Sequence, residues 1–219
     1  HTHYDHTQDL AYVAQKFHSK VFIGQMSLYS EARYCDLNLD MVYPVAPGDR
    51  FELEDFTLEV FRGKHTFLNN PDGTIKKMEE GLRDFPKEHA IADIWGSMEY
   101  MDYMITTKQN LRIFINGGGA YHQFYTNAYD TVKKYAPNII FRQSTSKYTS
   151  EEFAKVMNDL HPQLVIPLHQ DGIVRKTGKS VGEYVDEVNK ELEKIGSITR
   201  MVDPKRFKWF EISMQVKEL

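Results

Sequence analysis

The chain has 219 residues, with 27 Lys and Arg against 31 Asp and Glu and a net charge of −4. That length accommodates one sizeable core, so a single domain over residues 1–219 is expected. The charge balance argues against a basic nucleic-acid footprint but not against a compact phosphorylated substrate. The single cysteine, Cys35, excludes an intramolecular disulfide, and no apolar run approaches the roughly 20 residues of a membrane helix.

The first six residues are His1-Thr2-His3-Tyr4-Asp5-His6. Neutral imidazole nitrogens and a carboxylate oxygen are the usual donors for zinc, manganese or iron. His1 and His3 share a side if the segment is extended, and Asp5 and His6 need a turn to aim at a neighbouring point. That spacing suits two adjacent ions better than one. A purification tag would be a histidine repeat with a linker, and this segment has neither. It runs straight into a predicted helix over 7–18, with Leu10, Val13, Ala14 and Phe17 on one face.

A short buried strand is expected over Lys20–Gly24, a helical turn over Ser30–Tyr34, and a half-buried strand over Asp36–Val45. Cys35 reads as a structural thiol rather than a nucleophile. Pro47-Gly48-Asp49 makes a turn, and Phe51 and Thr57–Phe61 continue the β pattern into Gly63-Lys64-His65-Thr66. Residues 68–96 break the pattern and read as an insertion, either a lid over the site or a solvated surface excursion. Met98–Thr106 and Leu111–Ile115 form a predicted hairpin, followed by Asn116 and the turn Gly117-Gly118-Gly119. That glycine run lacks the Lys-Ser/Thr of a phosphate-binding loop.

A helix is expected over Phe124–Tyr135 and a strand over Asn138–Phe141. Thr149 and Ser180 each stand three residues before a glutamate, Glu152 and Glu183, which is the capping-box signature of two helices. The first runs to about Leu160 and the second stops at Gly196. Between them, Gln163–Leu168 is a strand that delivers His169, and Phe207–Ser213 is expected to be the last strand. Strands alternating with helices, plus several hairpins, predict helices outside two central sheets. His18, His89 and His161 read as structural or exposed, whereas His122 stays open as a ligand.

The opening segment resembles the HxHxDH motif of the metallo-β-lactamase-fold hydrolases, and Gly63-Lys64-His65-Thr66 and Leu164–His169 resemble that family's next two ligand-bearing strands. The style is nearest to the branch that includes the sugar-lactonase-like proteins. The resemblance implies an αββα four-layer sandwich, with strand-rich sequence expected ahead of His1, and a hydrolase; a cytoplasmic location is expected from the single cysteine and the lack of a visible secretory signal. It implies one or two divalent ions, zinc first, with manganese or iron as alternatives. His1, His3 and His65 would hold the first ion, and Asp5, His6 and His169 the second. Asp5 would also orient the nucleophile and pass a proton to the leaving group.

One departure stands out. The family's bridging aspartate falls on Gly118, Asn116 is a poor substitute, and the second ion is expected to bind more weakly. The implied partner is a small ester, lactone or phosphate-bearing metabolite, with no nucleic acid and no membrane. Tyr121, Tyr125, Arg142, Lys147 and Tyr148 are candidates to line its pocket. A different register for the missing bridge stays open as an alternative. So does a metal- or ligand-binding module that has lost catalysis. Oligomeric state is not legible.

Overall fold

The computed structural model describes residues 1–2, 4–28, 31–32, 35–63, 100–117, 132–143, 149–205 and 208–212. The expected insertion at 68–96 lies outside them, as does most of the helix expected over Phe124–Tyr135, of which 132–135 is helical.

The chain opens with a helical turn, α1 (Tyr4–Thr7), and then α2 (Leu10–Phe17). His18 ends α2 in the left-handed conformation at φ 51°, its N–H bonded back to Ala14 and Gln15. The buried face of α2 is narrower than the periodicity suggests. Ala14 is buried, with Leu10 and Ala11 packed beside it, whereas Val13 and Phe17 are exposed.

Strand β1 (Val21–Gly24) pairs in parallel with β2 (Val42–Val45). The strand expected over Asp36–Val45 is thus reduced to its last 4 residues. Asn38 accepts a hydrogen bond from the Asp40 N–H and caps a 3₁₀ turn over Leu39–Met41, an alternative to the ladder that short polar side chains often offer.

The second sheet has seven strands in the order β3 (Arg50–Glu52), β4 (Phe56–Arg62), β5 (Met101–Thr107), β6 (Arg112–Asn116), β7 (Ile139–Gln143), β8 (Leu164–Leu168) and β9 (Arg200–Met201). The first four are antiparallel. From β6 onward the strands are parallel, which requires the long crossovers supplied by α3 (Ser150–Leu160) and α5 (Val181–Lys194). Both helices begin with a fully formed capping box, on Thr149 with Glu152 and on Ser180 with Glu183. Two elements differ from expectation. A helix, α4 (Asp171–Thr177), follows His169 directly. The last strand is β9 rather than Phe207–Ser213, whose described residues 208–212 carry no strand and leave Trp209 fully exposed.

The layers follow from strand alternation. On one face of the large sheet, Met104, Phe114, Ile140 and Val165 pack against Phe153, Met157 and Leu160 of α3 and Val185, Val188 and Leu192 of α5. Each such side chain contributes roughly 1.5–3 kcal/mol on burial. On the other face, Val60 and Met101 meet Val45 of the small sheet. The Tyr103 hydroxyl donates across the gap to the Phe22 carbonyl at 3.3 Å. Helix α2 then covers the small sheet through Ala14, Val21, Ile23 and Leu37. The order is helix, sheet, sheet, helix. No helix among the described residues is long and apolar enough to cross a membrane.

Replacing Thr149 or Ser180 by alanine should each lower the free energy of urea unfolding by about 1 kcal/mol. A pair of variants as stable as the parent would show that the capping boxes do not set the helix starts.

Candidate metal centre

The parallel pairing of β6, β7 and β8 brings their carboxyl ends to one edge of the sheet. Antiparallel β4 ends there too, since Arg62 pairs with Met101 at the start of β5. Every ligand-bearing loop expected from the large sheet leaves from this edge.

His6 and His169, 163 residues apart in sequence, meet there with Nε2 to Nε2 at 3.2 Å. Their ring centroids are 5.1 Å apart. The His1 ring lies 4.1 Å from that of His6 and 5.2 Å from that of Tyr100. Two nitrogens each about 2.0–2.1 Å from a tetrahedral zinc would stand about 3.4 Å apart. The His6–His169 pair lies within hydrogen-bond distance, and the same spacing suits two ligands of one ion. His6 is exposed and His1 and His169 are half-buried, so the edge is open to a small molecule.

Local structure explains how these rings are aimed. The α1 turn gives the change of direction that Asp5 and His6 need. Two buried threonines anchor the motif on either side. Thr2 donates to Ser27 Oγ at 3.2 Å, and Thr7 donates to Glu31 Oε1 at 3.3 Å. At the other end, His169 sits at φ 58°. That left-handed turn lets the chain pass from β8 into α4, with the Gly172 N–H donating to the His169 carbonyl at 3.1 Å. A non-glycine residue there stores strain on the order of 1 kcal/mol.

Of the other expected ligands, His3 and His65 lie outside the described residues, and so does the side chain of Asp5. Among the described residues, no group of three or more His, Cys, Asp or Glu is arranged to hold an ion by itself. His89, His122 and Gly118 also lie outside the described residues. His18 and His161 are left-handed helix caps at φ 51°, as their positions suggest.

Sequence reasoning missed a polar cluster at the same edge. Arg142 Nη1 donates to Asn116 Oδ1, and Asn116 Nδ2 donates to Asp102 Oδ2 at 2.8 Å. Burial pushes the Asp102 carboxyl up to about 6, against the opposing pull of Asn116, Arg142 and the Gly117 N–H. Asn116 thus has both ends of its amide committed inside the protein and is not a stand-in for the bridging aspartate. Arg142 is 2% exposed, so it does not line an open pocket; Tyr121, Tyr125, Lys147 and Tyr148 lie outside the described residues. The sequence signal was present, since Asp102 and Arg142 interrupt apolar runs at positions whose parity faces the core.

No family model matches the chain, and no curated protein matches it in sequence. Solved structures do match in shape. The metallo hydrolase Igni18 from the archaeon Ignicoccus hospitalis superposes with a TM-score of 0.55 at 13% identity, over 92% of this chain and 72% of its own. The metallo-β-lactamase-fold protein YhfI from Bacillus subtilis superposes with a TM-score of 0.53 at 11% identity, over 92% of this chain and 72% of its own. The chain has the metallo-β-lactamase fold.

Two predictions follow from the geometry around the motif. In metal-stripped protein, His169→Gly should be about 1 kcal/mol more stable to urea than His169→Ala, because glycine relieves the left-handed backbone; the reverse order would sink the strain reading. The second concerns Glu31, which is fully buried. Burial pushes its carboxyl from 4.5 up to about 7, opposed by hydrogen bonds from Cys35 and Thr7. A raised carboxyl stabilises the fold fully below its unfolded value and loses that contribution as pH rises through the folded value. Stability relative to Glu31→Gln should therefore fall between pH 4.5 and about 7, and parallel pH profiles would show that Glu31 does not titrate in this way.

Proposed function

We propose that this protein is a metal-dependent hydrolase acting on a small ester, lactone or phosphate-bearing metabolite. The observation that carries the reading is the convergence of His6 Nε2 and His169 Nε2 to 3.2 Å at the open edge of this fold. Imidazole nitrogens presented in pairs at that spacing, with a third ring beside them, fit zinc, manganese or iron. In this reading His1, His3 and His65 hold one ion and Asp5, His6 and His169 a second. A divalent ion in such a site supplies a nucleophile near neutral pH by acidifying water.

The chain's own groups do the rest. Thr2 and Thr7 fix the two ends of the motif so that its imidazoles need not reorganise. The strained turn at His169 holds that ring toward His6. Asp5 orients the attacking water and hands its proton to the departing alkoxide. The exposure of His6 leaves the approach open to a substrate carried in from solvent. With Gly118 at the bridging position, the second site keeps three protein ligands and binds its ion more loosely than the first.

Elemental analysis of protein prepared without chelators, paired with assays on ester, lactone and phosphodiester panels, tests this. One tight ion or two per chain, with hydrolysis abolished by His6→Ala, is the expected result. A chain that takes up no zinc, manganese or iron and hydrolyses nothing would overturn the reading.

A further inference from the structure

The polar cluster beneath the metal edge lies on the face that should be purely apolar. Asp102, Asn116 and Arg142 each stand two residues along their strand from a core residue, Met104, Phe114 and Ile140. Strand alternation puts all three on the helix-covered face. Asp102 is 5% exposed and Arg142 2%. Removing two charges from water costs several kcal/mol per ion, and well-packed apolar residues in their place are often as stable or more so. Stability alone therefore does not account for this arrangement.

What the cluster touches does. Asp102 Oδ2 is held by Asn116, which is held in turn by Arg142. The other carboxylate oxygen, Oδ1, makes no hydrogen bond. It lies 3.1 Å from the point where a Cβ on Gly63 would stand, and the Tyr100 carbonyl carbon is 3.2 Å from the same point. The carboxylate fills the space that glycine leaves vacant. The Gly63 N–H donates to the Tyr100 carbonyl at 2.7 Å, one step beyond the last paired residues of β4 and β5. Tyr100 is the residue whose ring meets His1 at 5.2 Å, and Gly63 stands two residues before His65 in sequence. The Gly117 N–H, where the chain leaves β6, also faces the Asp102 carboxylate.

We propose that Asp102 is a positioning residue for the metal centre: clamped by Asn116 and Arg142, its carboxylate fixes the Gly63–Tyr100 junction against which His1 is set. The inference rests on the metal reading given above. Outer partners of this kind act by holding ligands in one orientation, and their loss typically weakens metal affinity 10–100-fold.

The test is zinc affinity of the metal-stripped chain, by competition with a chromophoric chelator, for the parent, Asp102→Asn, Gly63→Ala and Met104→Ala. Asp102→Asn keeps the volume and an acceptor for Asn116 but puts an amide NH2 in place of Oδ1 at the Gly63–Tyr100 junction. Gly63→Ala leaves the Asn116–Arg142 clamp in place and presses on both the carboxylate, at 3.1 Å, and the Tyr100 backbone, at 3.2 Å. Both should weaken zinc at least about tenfold. Met104→Ala, a core cavity on the same strand, should lower thermal stability while leaving affinity within about twofold. If Asp102→Asn fails to fold, Asn116→Leu, which releases the carboxylate from its clamp without adding bulk at the junction, decides in its place by the same loss of at least about tenfold. Parent-like affinity in the Asp102 and Gly63 variants, or an equal loss in Met104→Ala, overturns this inference and leaves the metal reading standing. A parent chain that binds no zinc overturns both.

Discussion

Parallel pairing of β6, β7 and β8 is the constraint on which the rest of the molecule depends. Parallel strands all end at the same side, so whatever chemistry follows them is gathered along one line without any further device. Asn116 pairs with Arg142, and Gln143 with Leu168, so the ends of three strands are level to within a residue. The crossover helices that parallel pairing requires also build the main core, because α3 and α5 bury Phe153, Met157, Val188 and Leu192 against the sheet. Fixing the edge and stabilising the fold are therefore one act. Pro167 fits the same picture, since β9 reaches only Leu164 and Val165 and, among the described residues, no strand other than β7 pairs with that part of β8.

The other half of the edge is supplied from a different layer. His1 and His6 belong to the start of the chain, which packs with the small sheet through Thr2, Thr7 and α2. The two sheets must hold their separation for these rings to meet His169. Among the described residues the contacts between them include Val45 against Val60 and Met101, the Tyr103 hydroxyl on the Phe22 carbonyl, and the Phe22 and Tyr43 rings on Phe51. This interface aligns the two contributions to the site, whereas the helix-covered core supplies most of the bulk.

The sequence was most legible where a local rule acts alone. The capping boxes at Thr149 and Ser180 placed both long helices within a residue, and the hairpin about Thr107–Asn110 closed as its turn residues require. The fold class was legible because the histidine spacing resembles a family whose shape the structure shares. Legibility failed where two rules compete. At Asn38 a side-chain cap displaced a strand that alternation favoured. At Val13 and Phe17 helical periodicity indicated burial, but the two strands described for the small sheet leave both exposed. The Asp102 cluster was hidden because its members are far apart in sequence and meaningful only once β5, β6 and β7 are side by side. Of the site itself, the structure brings together three imidazoles of the six residues read as ligands.

The left-handed backbone at His169 has a consequence for what each substitution there removes. At φ 58° the backbone favours glycine, and accepts asparagine, aspartate and histidine more readily than other residues. Glycine at this position would therefore keep the turn and lose only the ring, whereas a β-branched residue would cost the turn itself. The position lets the backbone's contribution be separated from that of the imidazole by substitution alone.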